Sequence, residues 1–240
     1  MRTLFRTWLR TLVVQASWNY DRMIGVGSAY ASIPLLRGLP KERHREAMAR
    51  AAQFFNAHPY MAGMEVGAVA RAEYEGLPDE QIRRMRHALI GPLGSVGDRL
   101  IWAGVLPAAV GVGLTVTVLA SPLAGVLCFL VLYNLAHFAV RGWALRAGWR
   151  GGHSVARELT ARGVQIGLKL LGPIAAFSVG LALPVVADWL ASDFQTRLRF
   201  SIASIAVLGV AFSRWIVPSF GGLRFGLVAA AFGLLAGWLW

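Results

Sequence analysis

Charge is scarce in this sequence, and acid is scarcer than base. Only 15% of the 240 residues are charged, against 56% hydrophobic, and the mean hydropathy is +0.54. A soluble domain carries about 25% charged residues, so this composition excludes an ordinary soluble globule and points to the bilayer. A single cysteine, Cys128, excludes a disulfide framework. Its apolar neighbours make it a packing residue rather than a reactive thiol. The chain also lacks GxSxG, HExxH and a Walker A loop, and no residues have zinc-ligand spacing. No catalytic residue, metal site or cofactor is therefore expected. The N-terminus interleaves Arg2, Arg6 and Arg10 with Leu4, Phe5, Trp8 and Leu9, without the continuous apolar core of a cleavable signal peptide.

The net charge of +12 would suit nucleic acid, but no recognition-helix pattern accompanies it. Basic clusters beside apolar spans are what the positive-inside rule and anionic headgroups produce. No nucleic-acid partner is expected; the lipid bilayer is.

The charges divide unevenly. Residues 1–99 hold most of the acids and bases, and 100–140 holds no Asp, Glu, Lys or Arg. That uncharged run suffices for two spans of ~20 residues each, with the turn between them at 121-SPLAG-125. A third span is expected over 170–187. Shorter apolar stretches come after it at 200–212 and 225–240, around a Pro/Gly-containing break, and read equally as short spans or re-entrant hairpins. The fold class is thus an all-α integral membrane protein with about 4–5 membrane segments. It divides into an interfacial, cytoplasm-facing helical region at 1–99, carrying the site loops, and a transmembrane region at 100–240. The 141–162 segment, rich in arginine, is expected as a cytoplasmic loop, and the balanced 188–199 segment as external. Helices are expected over 2–15, amphipathic and in the headgroup plane, over 41–55 from Pro40, and over 78–90, where acids lead and bases come last.

Three stretches could carry chemistry. In 91-GPLGSVGD-98 a carboxylate stands at the edge of an apolar span, where it is costly unless solvated, paired or functional. Asp98 is either the N-cap of a helix starting at Arg99, or a ligand group on glycines (Gly91, Gly94, Gly97) that let backbone approach a substrate. A carboxylate beside free N–H groups suits a sugar, whose hydroxyls both donate and accept. In 54-FFNAHPYMAG-63, Asn56 and His58 precede Pro59, which disfavours helix. They form either a turn or a hydrogen-bonding pair on a helix break lining a cavity. In 17-SWNYDR-22, Asn19 and Asp21 are either supporting partners or a local turn.

The blocks 15-QASWNYDRM-23, 54-FFNAHPY-60, 91-GPLGSVGD-98, 102-WAGVLP-107, 133-YNL-135 and 163-GVQIGLKLLG-172 resemble, in this order, the IID subunit of mannose/fructose/sorbose-family phosphotransferase-system permeases. The resemblance covers most of the chain and weakens after about residue 187. It implies a bacterial inner-membrane, multi-pass subunit with its N-terminal region on the cytoplasmic side. It also implies pairing with a membrane subunit IIC, assembly as a trimer of such pairs, and sugar passed to IIB, which IIA phosphorylates. IID is not itself phosphorylated and not by itself an enzyme. Carried over by position, the sugar site includes Asn56, His58, Gly97 and Asp98, with Asn19, Asp21, Gly94 and Arg99 as supporting candidates. Arg99 stands where the family commonly has proline, a departure that bears on the substrate rather than the fold. The alternative is a IID-like assembly subunit of a partial phosphotransferase system, regulatory rather than transporting.

Overall fold

A computed structural model describes residues 2–190. They form helices: α1 (Arg2–Thr11), α2 (Gly25–Leu36), α3 (Lys41–Ala51), α4 (Ala62–Glu75), α5 (Asp79–Gly97), α6 (Leu106–Leu119), α7 (Pro122–Gly151) and α8 (Arg162–Leu190). A π-helical stretch, Asp98–Val105, joins α5 to α6, and a 3-10 stretch, Gly152–Thr160, comes after α7. No strand occurs among the described residues, only two isolated bridges. The expected spans at 200–212 and 225–240, and most of 188–199, lie outside them.

Three helical stretches are long and apolar enough to cross a membrane: Asp79–Leu119, Pro122–Thr160 and Arg162–Leu183. The molecule is an all-helical membrane protein. The expected break at 121 is present: Ser121 caps α7 by accepting from the Ala124 N–H at 3.2 Å, and Pro122 takes the first helical position. Pro40 and Pro78 immediately precede α3 and α5 with extended backbone, so proline marks both starts.

The centre is α4, whose residues Ala62–Ala70 are all buried. Small residues let α7 lie directly on it. A Cβ on Gly67 would fall 2.5 Å from the Trp149 nitrogen, and one on Gly148 would fall 2.1 Å from the Met64 carbonyl oxygen. Close backbone approach of this kind holds helices together where lipid offers no hydrophobic gradient. The core around this crossing includes Val14, Phe55, Met61, Leu89, Leu93 and Ala144.

Two carboxylates are buried on α4, and each meets an arginine from a neighbour. Glu73 receives two hydrogen bonds from Arg50 of α3, at 2.9 and 2.8 Å. Glu65 receives Arg86 Nε from α5 at 2.6 Å. Burial pushes the Glu65 carboxyl up, and the Arg86 guanidinium works against that rise.

Four expectations need correction. The helix expected over 41–55 ends at Ala51, because Arg86 captures the carbonyls of Ala51, Gln53 and Phe54 that a continuing helix would use. The basic segment 141–162 is largely helix rather than loop: α7 runs to Gly151, and Arg141 is buried within it. The third span begins at Arg162, earlier than 170. The helix expected to start at Arg99, capped by Asp98, has no start there. Residues 91–97 are the last turns of α5, and Asp98 sits inside a continuous helix with φ −60° and ψ −44°, so it is not an N-cap.

Candidate functional site

The segment after α1 folds back through a turn built by Asn19, whose side chain accepts from the Arg22 N–H at 2.9 Å and donates to the Ser17 carbonyl at 3.1 Å. Its amide is therefore committed locally. Asp21 is exposed. Met23 takes a left-handed φ of 51° and bridges both Asn19 and Phe55. The Ile24 N–H donates to the Phe55 carbonyl at 3.1 Å, and the Phe55 N–H to the Arg22 carbonyl at 3.2 Å. Two sequence blocks far apart in the chain are thereby clipped together at Phe55, which is fully buried.

Residues 52–61 form the irregular link between α3 and α4. Arg86 holds its start through the three carbonyls, and its guanidinium lies 5.0 Å from the Phe55 ring centre. Irregular backbone needs such outside donors when it is buried. Asn56 then faces outward, while His58 turns inward to 3% exposure.

The third block closes on His58. A Cβ at Gly97 would lie 2.2 Å from the His58 Cβ and 2.5 Å from its Cγ, so only glycine lets α5 pass this close. Gly91 and Gly94 have open space where their side chains would be. Asp98 and Arg99 come next on the surface, and neither takes part in an ion pair among the described residues. Trp102, one turn past Asp98, is half exposed, with its ring centre 5.2 Å from that of His58. Asp98 and Trp102 are four positions apart in this π-helical stretch and so share a face of it. Pro107 has no N–H to offer Ala103, and the Leu106 N–H reaches back to the Ile101 carbonyl instead. π-Helical interruptions of α-helices are frequent at functional sites.

His58 Nδ1 accepts the Tyr60 N–H at 3.2 Å, which places the ring proton of the neutral form on Nε2. That Nε2–H is buried and has no partner. A buried unmade hydrogen bond costs about 1–3 kcal/mol, so the site holds a donor waiting for an acceptor. Burial lowers the His58 pKa to about 4, with Asp98 pulling it up and Arg141 pushing it further down. The ring is therefore neutral at physiological pH. Because the folded pKa lies below the ordinary 6.5, the unfolded chain binds the extra proton between pH 6.5 and 4, and stability falls as pH drops through that window. In acid-unfolding measurements, His58→Gln is expected to flatten the loss between pH 6.5 and 4. An unchanged slope would refute the buried neutral histidine.

Sequence reasoning missed the layer beneath. The Tyr60 ring stacks on His137 at 4.3 Å, and its hydroxyl meets that of Tyr133 at 2.7 Å. Arg141 packs beside them, its guanidinium 4.6 Å from the Tyr60 ring centre, while donating to His137 Nε2 at 2.6 Å and to the Thr11 carbonyl. Tyr133, His137 and Arg141 recur every four residues on one face of a mostly apolar helix. That periodicity was the available signal, since polar side chains in a span are functional by default.

The arrangement offers one neutral N–H donor at His58, an exposed carboxylate acceptor at Asp98, an exposed amide at Asn56 and the flat apolar face of Trp102. No group of metal-ligating residues occurs among the described residues.

A family model described as the PTS system mannose/fructose/sorbose family IID component matches residues 1–210. The mannose-specific EIID component of Escherichia coli K12 is 28% identical over 198 residues, covering 75% of this chain and 69% of its own. The fructose permease IID component of Bacillus subtilis is 26% identical over 202 residues, covering 78% and 73%. The sorbose-specific EIID component of Klebsiella pneumoniae is 27% identical over 200 residues, covering 77% and 73%. Among solved structures, one described as a membrane protein superposes with a TM-score of 0.71 at 20% identity, covering 100% of this chain and 96% of its own. A chain from the cryo-EM structure of the mannose transporter ManYZ with microcin E492 gives 0.59 at 21% identity, covering 97% of each chain. These two likenesses concern the fold.

Proposed function

The chain belongs to the mannose/fructose/sorbose family of phosphotransferase-system IID components, and we propose that it pairs with a IIC membrane subunit to form a sugar translocation path coupled to phosphorylation by IIB. The observation that carries this reading is the unpartnered buried N–H of His58, lying directly beneath a surface that exposes Asp98 and Trp102. A pyranose suits that surface: its hydroxyls pair with the exposed Asp98 acceptor and the exposed Asn56 amide, its C–H surface packs on the indole, and a shift of the Trp102 ring on binding would open the His58 donor to it. Half the pocket belongs to IIC. Gly91 and Gly94, with open space above them, let a IIC helix approach the backbone closely. Three such pairs form the complex in the bacterial inner membrane, with residues 1–99 toward the cytoplasm, where IIA-charged IIB receives the sugar. The chain does no phosphoryl chemistry of its own.

The test is co-expression with the IIC subunit, followed by equilibrium binding of mannose, fructose and sorbose. A hydrogen bond to a charged group is worth about 1.5–3 kcal/mol, so Asp98→Asn should weaken binding roughly ten- to a hundredfold. Membrane insertion and copurification with IIC should survive. Unaltered sugar binding by Asp98→Asn would remove the transport role and favour the alternative assembly subunit, for which the exposed Arg99 is the supporting feature.

A further inference from the structure

A second site lies away from the sugar face, between α1, the end of α2 and the end of α4. It is a groove of about 760 Å³ whose lining includes Arg6, Arg10, Arg37, Leu9, Leu35 and Tyr74. Its volume falls in the usual range of small-molecule sites, about 300–1,000 Å³. Three arginines line it and no carboxylate does. None of the three makes an ion pair among the described residues. Arg10 is held in place, donating to the Tyr30 carbonyl at 3.0 Å with its guanidinium 4.5 Å from the Tyr30 ring centre. Like charges gathered without counter-charge repel one another, and an anion relieves that repulsion. Arginine forks fit phosphate oxygens in particular.

The rest of the groove says which phosphate. Leu9 and Leu35 give it an apolar wall, and Leu9 is exposed there. Its depth along the membrane normal is marked by Tyr74, whose ring lies 6.0 Å from that of Trp149. Trp149 sits between Arg146 and Arg150, both exposed, at the end of the membrane-spanning α7. Tryptophan flanked by arginine at a span's end marks the membrane–water boundary. A cationic groove with an apolar wall at that level fits an amphiphile with a phosphate head. We propose that this groove binds the headgroup of an anionic phospholipid, fixing α1 against α2 at the bilayer surface.

The test uses the full chain purified in zwitterionic detergent and stripped of lipid, titrated with dioleoylphosphatidylglycerol, with dioleoylphosphatidylcholine and with inorganic phosphate. The phosphatidylglycerol should bind at least about tenfold more tightly than the phosphatidylcholine. The combined variant Arg6→Gln, Arg10→Gln, Arg37→Gln should weaken it on the order of a hundredfold, as loss of three basic contacts at a membrane surface implies. The charge-matched variant Arg45→Gln, Arg83→Gln, Arg84→Gln, on exposed positions elsewhere, should leave it unchanged. If the triple variant does not fold, Arg6→Gln and Arg37→Gln singly carry the test, each at roughly a fivefold loss. Equal binding of the two lipids, or an equal loss in the charge-matched variant, overturns the proposal. Inorganic phosphate binding as tightly as phosphatidylglycerol overturns it too, assigning the groove to free phosphate.

Discussion

Arg86→Ala should unfold the site before it affects anything else. The substitution leaves Glu65 buried without its partner and removes the donors to the carbonyls of Ala51, Gln53 and Phe54. Breaking one side of a buried ion pair costs about 3–5 kcal/mol, and orphaned carbonyls add to that. The natural control is Arg84, whose Nε reaches Glu80 at 2.9 Å. The distance is close to that of the Arg86 pair, but both side chains are exposed, and such pairs are worth about 0–1 kcal/mol. Thermal unfolding of the two variants in detergent should therefore separate widely, with Arg84→Ala near wild type. The double variant Glu65→Leu, Arg86→Met should recover part of the loss, since no charge is stranded, yet still lack an ordered 52–55 segment. Equal stability of Arg86→Ala and Arg84→Ala would show that the pair is dispensable.

Gly97→Val should separate binding from insertion. Its first side-chain atom would stand 2.2 Å from the His58 Cβ, closer than atoms tolerate, and His58 is packed against the rings of Tyr60 and Trp102 at 5.0 and 5.2 Å. Either α5 or the 56–59 segment must shift. Overpacking of this kind costs about 1–3 kcal/mol, and a displacement of about 1 Å at a positioned group can lower rates on the order of a hundredfold. Coupled sugar uptake by the IIC complex should fall by that order while the protein still reaches the membrane. Gly180→Ala, in α8 with open space around it, should be neutral or stabilising by less than about 1 kcal/mol. Wild-type uptake by Gly97→Val would mean that the contact is not needed.

Several of these features were legible in the sequence, and the reasons are local. Pro40 and Pro78 fix helix starts through their own backbone angles, and Ser121–Pro122 carries its cap in adjacent residues. The Asn56–Pro59 break was visible because proline constrains its immediate neighbour. The hidden features depend on partners distant in the chain. Arg86 finds Glu65 across 21 positions, and no spacing rule announces it. The glycines of 91–98 favour a break by propensity, but packing against His58 keeps the helix going. Arg141 looked like loop charge because an unpaired arginine would belong in water. In the fold, Tyr60, His137 and the Thr11 carbonyl replace that water. Helix α4 gave no amphipathic signal because both sides of it are covered.

The π-helical stretch also governs how this polypeptide tolerates change in length. Each residue added to a helix rotates the downstream chain by about 100° and moves it about 1.5 Å. Asp98–Val105 absorbs such an addition, so the rods on either side keep separate phases. Before it, α5 presents Ile82, Arg86, Leu89, Leu93 and Gly97 to the protein interior; after it, α6 presents Ala109, Gly111, Gly113 and Thr115. Removing one residue within 98–105 would return the winding to α-helical and turn one rod out of phase with its neighbours. Either Gly111 would leave the Ser178 backbone it lies against in α8, or Gly97 would leave His58. The stretch works as a phase adjuster, letting one continuous rod pack on His58 at one end and in a lipid-embedded bundle at the other, where the rotational settings differ.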